Sequence, residues 1–144
     1  MAHAEGKITI DRPVQMVFDF ILDGANNPLW RPSVVDIKPL AEKPYGIGSA
    51  FKQGLKGPGG RIDGDYQITE CKPNQIIEFQ VIAGPARPTG TYHFETDERS
   101  TTVTFVLDFQ PKGLAKLMNP MIQSSMQSEV ATLANLKSYL ESHS

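Results

Sequence analysis

Cysteine occurs once, at position 71, in a chain of 144 residues. A single thiol cannot close an intramolecular disulfide or build a thiolate metal cluster, so a disulfide framework is excluded. Histidine is almost as scarce, and two of the three, His3 and His143, lie at the chain ends. No HExxH pair or other clustered spacing exists to hold zinc. Charge of one sign is missing too: 14 basic residues against 16 acidic ones give a formal net charge of -2. The basic residues are scattered among the acidic ones, so no strong field gathers nucleic acid. No apolar run approaches the roughly 18 residues of a membrane span, and MAHAEGKITI does not resemble a signal peptide. The expectation is a soluble, cytoplasmic protein without integral membrane association or a nucleic-acid partner.

Reaction motifs are equally sparse. GxSxG is absent. GLKGPGG, residues 54–60, has four glycines but neither the phosphate-loop spacing nor a dinucleotide fingerprint, and it joins strands instead of opening a helix. A flexible hairpin loop is its reading, and no cofactor is called for. Cys71 precedes Lys72 and Pro73 with no base beside it, as a small structural thiol does. The groups left for acid and base chemistry are Asp23, Arg61, Asp63, Asp65, Glu70, Glu78 and His93. Asp63 and Asp65 are two apart on one expected strand, where they can share a face; His93 alternates against its aromatic neighbours and reads as a wet outer position. Arg87, in the AGPARPTG loop, is either solvent-exposed or placed to meet an acidic head group.

What is present is a globular composition, 40% hydrophobic and 21% charged, at the length of one domain spanning residues 1–144. Lys7 to Asp11 is a short strand, and Pro13 starts a helix on which Val14, Val17, Phe18, Ile21 and Leu22 recur at helical spacing. The proline-flanked NNPLWRP leaves room for one or two turns. Six strands are predicted next, at Val34–Leu40, Ser49–Leu55, Arg61–Cys71, Gln75–Ala83, Thr89–Thr96 and Thr101–Gln110. Short turns leave no room for crossover helices, so the sheet is antiparallel. Val103, Phe105, Leu107 and Phe109 take one face of the last strand; Tyr92 and Phe94 share a face of its neighbour. Beyond Gly113, Ile122, Met126, Val130, Leu133, Leu136 and Leu140 form the stripe of one long helix that covers the sheet.

This order of elements, with ITIDRPVQMVFDFILDGANN (residues 8–27), the PLWRP turn, YGIGSAF and YQITECKPNQIIEF, resembles the polyketide cyclase/dehydrase and lipid-transport superfamily, also called START-like, Bet v 1-like or SRPBCC. The resemblance covers nearly the whole chain. It implies an α+β helix-grip fold, a curved antiparallel sheet wrapped around a long C-terminal helix, with a cavity between them that binds apolar molecules. Only some members of the family are catalysts, and no universal catalytic signature comes with it.

The ligand-binding candidates are Phe18, Trp30, Phe51, Tyr66, Phe79, Tyr92, Phe94, Phe105, Met118, Ile122 and Met126. The aromatic rings supply apolar area, and Tyr66 or Tyr92 can orient a polar end; the methionines suit ligands of variable shape. A fully packed core is the competing reading. Pro120 separates Leu114–Asn119 as a gate. Binding of a hydrophobic or amphipathic small molecule is the leading function. The alternatives are a cyclase or dehydratase using a tyrosine or inward carboxylate, and an interaction protein without a small ligand. An exposed edge strand leaves room for a homodimer.

Overall fold

The computed structural model describes residues 2–57, 59–110 and 119–143. β1 (Ala2–Ile10) leads into α1 (Val14–Leu22) and a 3₁₀ helix (Gly24–Leu29). The strands β2 (Val34–Pro39), β3 (Ala50–Gly57), β4 (Gly60–Asp63), β5 (Tyr66–Lys72), β6 (Ile76–Val81), β7 (Thr89–Asp97) and β8 (Ser100–Phe109) follow, then α2 (Asn119–Ala131) and α3 (Leu133–Ser142). One antiparallel sheet runs β1-β8-β7-β6-β5-β3-β2, with β4 paired to β3. The regular alternation of β8 explains its place in the core: Val103, Phe105 and Leu107 turn inward, opposite Phe94, Tyr92 and Gly90 of β7. α1 buries Val17, Phe18 and Ile21 on this face, and Phe18 meets Phe94 edge-on at 5.1 Å between ring centres.

Three expected boundaries are corrected. β1 begins at Ala2, well before Lys7, because its whole length pairs with β8. Arg61–Cys71 is two strands, since the carboxylate of Asp65 accepts the backbone N–H of Gln53 at 3.1 Å and takes the place of a ladder bond. Asp63 and Asp65 therefore do not sit on a common strand. The C-terminal stripe is two helices with Thr132 between them, where the hydroxyl and N–H of Thr132 both turn back to the Glu129 carbonyl. The apolar stripe survives the break, with Met126, Val130, Leu133, Leu136 and Leu140 all buried. The gate expected at Leu114–Asn119 falls outside the described residues, except that Asn119 opens α2.

α2 and α3 run along β1. Gln123 accepts the N–H of His3 at 2.9 Å and donates to its carbonyl at 2.5 Å. Lys137 donates to the Thr9 carbonyl, and Glu141 accepts the N–H of Asp11, each at 2.8 Å. Among the described residues no helix is long and apolar enough to cross a membrane.

Candidate functional site

A row of rings crosses five adjacent strands of the inner face. Phe51 of β3 pairs with Tyr66 of β5 and stacks on it at 5.1 Å. Tyr66 meets Phe79 of β6 at 5.3 Å, Phe79 meets Tyr92 of β7 at 5.9 Å, and Tyr92 stacks on Phe105 of β8 at 4.4 Å. The row follows from strand geometry, because alternate residues of neighbouring strands stand side by side. Gly90 leaves room for it: a Cβ there would lie 2.1 Å from the Phe79 ring.

A second, polar wall comes from the 3₁₀ helix and the turn after it. Asp23 caps this helix by accepting the N–H of Ala25 at 3.1 Å. Asn27 is thereby buried, and its side-chain amide donates to Gln53 at 3.0 Å and to the Tyr66 hydroxyl at 3.1 Å. Gly24 is required beneath that hydroxyl, since a Cβ would come within 2.2 Å of it. Trp30 and Arg31 follow, both buried. Arg31 pairs through Nε with Glu129 of α2 at 3.2 Å, and the Ser33 hydroxyl donates to the same carboxylate at 2.6 Å. Asn135 of α3 holds the Trp30 carbonyl at 3.1 Å. The indole Nε1 of Trp30 is buried and has no hydrogen-bond partner among the described residues.

Between these walls lies a void of about 10 Å³ bordered by Ile21, Leu22, Asn27, Arg31, Tyr66, Ile68, Ile77, Phe79 and Tyr92. That is room for about one water molecule. Outside it, a groove of about 740 Å³ runs between α1 and the segment around Tyr45, lined by Met16, Asp19, Phe20, Leu22, Asp23, Asn26, Lys43, Pro44 and Tyr45.

Of the residues singled out in the sequence, Tyr66, Phe79 and Tyr92 border the void. Phe18, Trp30, Phe51, Phe94, Phe105 and Met126 are buried in the surrounding core, Ile122 is partly buried against it, and Met118 lies outside the described residues. Arg87 and His93 are exposed. Arg61 is taken up by surface ion pairs with Asp36 and Asp63, both at 2.8 Å. Sequence reading missed Asn27, Arg31 and Glu129. Glu129 looks like part of a polar helix face, and only the fold brings it to a residue 98 positions away.

The electrostatics favour held protons. Burial pushes Tyr66 up to about 12, a rise that the Asn27 hydrogen bond only partly offsets. Burial also raises Tyr92. Both phenols stay neutral and are poor general bases near pH 7. Burial opposes the charge of Arg31, but the Glu129 carboxylate overcomes it and holds the guanidinium above its ordinary value. Burial and then Glu70 raise Cys71, which disfavours the nucleophilic thiolate. The site can donate hydrogen bonds and enclose apolar atoms.

A family model described as polyketide cyclase / dehydrase and lipid transport matches residues 1–141. Among solved structures, a START superfamily protein from Mycobacterium smegmatis aligns with a TM-score of 0.83 at 16% identity, covering 100% of both chains. The Zhui aromatase/cyclase from Streptomyces sp. R1128 aligns with a TM-score of 0.81 at 15% identity, over 96% of this chain and 93% of that one. The Aha1 dimer from Colwellia psychrerythraea gives 0.62 at 17%, over 95% and 94%. No curated protein matches the sequence. The structural likenesses establish a START-like helix-grip fold, and the match along the sequence shows that the chain belongs to the polyketide cyclase/dehydrase and lipid-transport family.

Proposed function

We propose that the chain reversibly binds a hydrophobic or amphipathic small molecule between its sheet and its helices. One observation carries this reading: Asn27, Arg31, Tyr66 and Tyr92 converge on a void otherwise bordered by Ile21, Leu22, Ile68, Ile77 and Phe79. A few polar groups set in an apolar wall are what ligand pockets use to fix orientation, while removal of apolar surface from water drives binding at about 25 cal/mol per Å². Binding fits the raised tyrosines better than a cyclase or dehydratase mechanism does. A tyrosine pushed to about 12 yields almost no phenolate at neutral pH.

The size of the void, about 10 Å³, favours a second reading, an interaction domain whose core is filled. Native mass spectrometry of freshly purified protein, followed by denaturing extraction, separates the two. A stoichiometric adduct released on denaturation supports binding and reveals the chemical class. A bare mass, together with no shift from a panel of fatty acids, sterols and aromatic polyketides, overturns binding in favour of the filled core.

A further inference from the structure

Leu22 borders two spaces at once. On one side it faces the void of about 10 Å³ with Asn27 and Tyr66; on the other it faces the groove of about 740 Å³ with Phe20 and Tyr45. The inequality decides how a ligand is shared. The void admits only a head group of a few atoms after modest side-chain movement, whereas the groove lies within the roughly 300–1,000 Å³ of whole small-molecule sites. Leu22 is also the barrier that moves at least cost. It is the last residue of α1, half-buried, and Asp23 after it has already left helical geometry at φ -80° and ψ 98°. A rotamer change there breaks no backbone ladder. Of the other apolar side chains around the void, Ile21 is buried one residue inside α1, and Ile68, Ile77 and Phe79 stand on β5 and β6, paired along the sheet.

We propose that Leu22 is the gate of the binding site and that its ligand is an elongated, uncharged amphipath. This rests on the binding reading above. The head group carries a hydrogen-bond acceptor, because Arg31 offers only donors and the Glu129 carboxylate is already engaged by Arg31 and Ser33. It is neutral because Glu129 already balances the charge of Arg31. The apolar body stays in the groove against Phe20 and Tyr45.

Prodan, a neutral naphthalene ketone whose emission reports polarity, tests this by stopped-flow fluorescence. Ile77→Trp fills the void and abolishes saturable uptake. Leu22→Ala speeds both association and dissociation by roughly fivefold, and Leu22→Trp slows association by at least a similar factor, as expected when binding waits on a local opening. Cooperative thermal unfolding establishes that each variant is folded, and Leu22→Ala alone decides the matter if Leu22→Trp is not. Uptake that Ile77→Trp abolishes, with the wild-type rates retained in the Leu22 variants, overturns the gate and leaves the cavity standing. No saturable uptake by the wild type, of prodan or of the fatty acid, sterol and polyketide panel, overturns the binding reading and the gate with it.

Discussion

β8 and the segment from Asn27 to Ser33 border one interior and are held in place by different means. In β8 the ladders to β1 and β7 satisfy the backbone, so alternate side chains are free to be apolar and Val103, Phe105 and Leu107 turn inward. The segment from Asn27 to Ser33 is fixed by side chains that act singly, from Asn27 to Gln53 and Tyr66, and from Arg31 and Ser33 to Glu129. A repeated pattern loses area when one member is removed. A solitary polar contact has no substitute, and its loss strands a buried charge or donor. The apolar wall is thus robust in kind, while the polar wall depends on contacts made once.

Substitutions on each side test this contrast. Phe105→Ala, at a fully buried ring, costs about 4 kcal/mol in chemical denaturation without altering which polar groups line the void; a cost below about 1 kcal/mol would show that the sheet side is not the packed wall described. Glu129→Ala leaves Arg31 uncompensated and costs about 3 kcal/mol, whereas Arg31→Met combined with Glu129→Leu regains most of it. Equal stability of the single and double variants would erase the distinction between lost area and a stranded charge. Gly24→Ala drives a Cβ against the Tyr66 hydroxyl and the Phe51 ring and costs about 2 kcal/mol. An unchanged melting temperature would mean that the polar wall yields as readily as a loop.

Smaller effects come next. Tyr66→Phe deletes one of the two acceptors of the Asn27 amide, costs about 1 kcal/mol, and removes an ionisation near pH 12 from the ultraviolet titration. Persistence of that step in the variant would assign it to another group. At the surface, the hydrogen bond that protonated His3 donates to the Asp108 carboxylate raises His3 above 6.5. A raised histidine adds stability that is fully present below the unfolded value and is lost as pH rises through the folded one. The difference between wild type and Asp108→Asn should therefore be largest below the histidine's ordinary 6.5 and shrink as pH rises above it. A difference that does not vary with pH would count against the pair.

The same contrast explains what could be read from the sequence. The alternation in residues 103–109, the helical spacing from Val14 to Leu22 and the stripe from Met126 to Leu140 are repeated signals; the first two land on the element each implied, and the third runs on across two helices where one was expected. With the family motifs, they were enough to reach the fold. The break at Thr132 was illegible because neither glycine nor proline marks it; a hydroxyl turned to the Glu129 carbonyl does. The division of β4 from β5 has a sign in Gly64, but the Asp65 side chain that stands in for backbone there could not be read. At the site, the aromatic row was visible as residue type, but which rings border the void depends on strand neighbours. Arg31 and Glu129 carry no local sign of each other.

The carboxamide of Gln123 offers His3 both a donor and an acceptor, as an adjoining strand would. With Lys137 on the Thr9 carbonyl, it occupies the outer side of β1, so a second copy cannot add a strand there without displacing both. The opposite margin of the sheet is β2, where Val35 is exposed. Growth of an open fibre by strand addition requires two unlike margins to meet, copy after copy. With the β1 margin closed, the end of this strand order left for pairing is β2, and β2 joined to β2 would make a closed pair and not an open row.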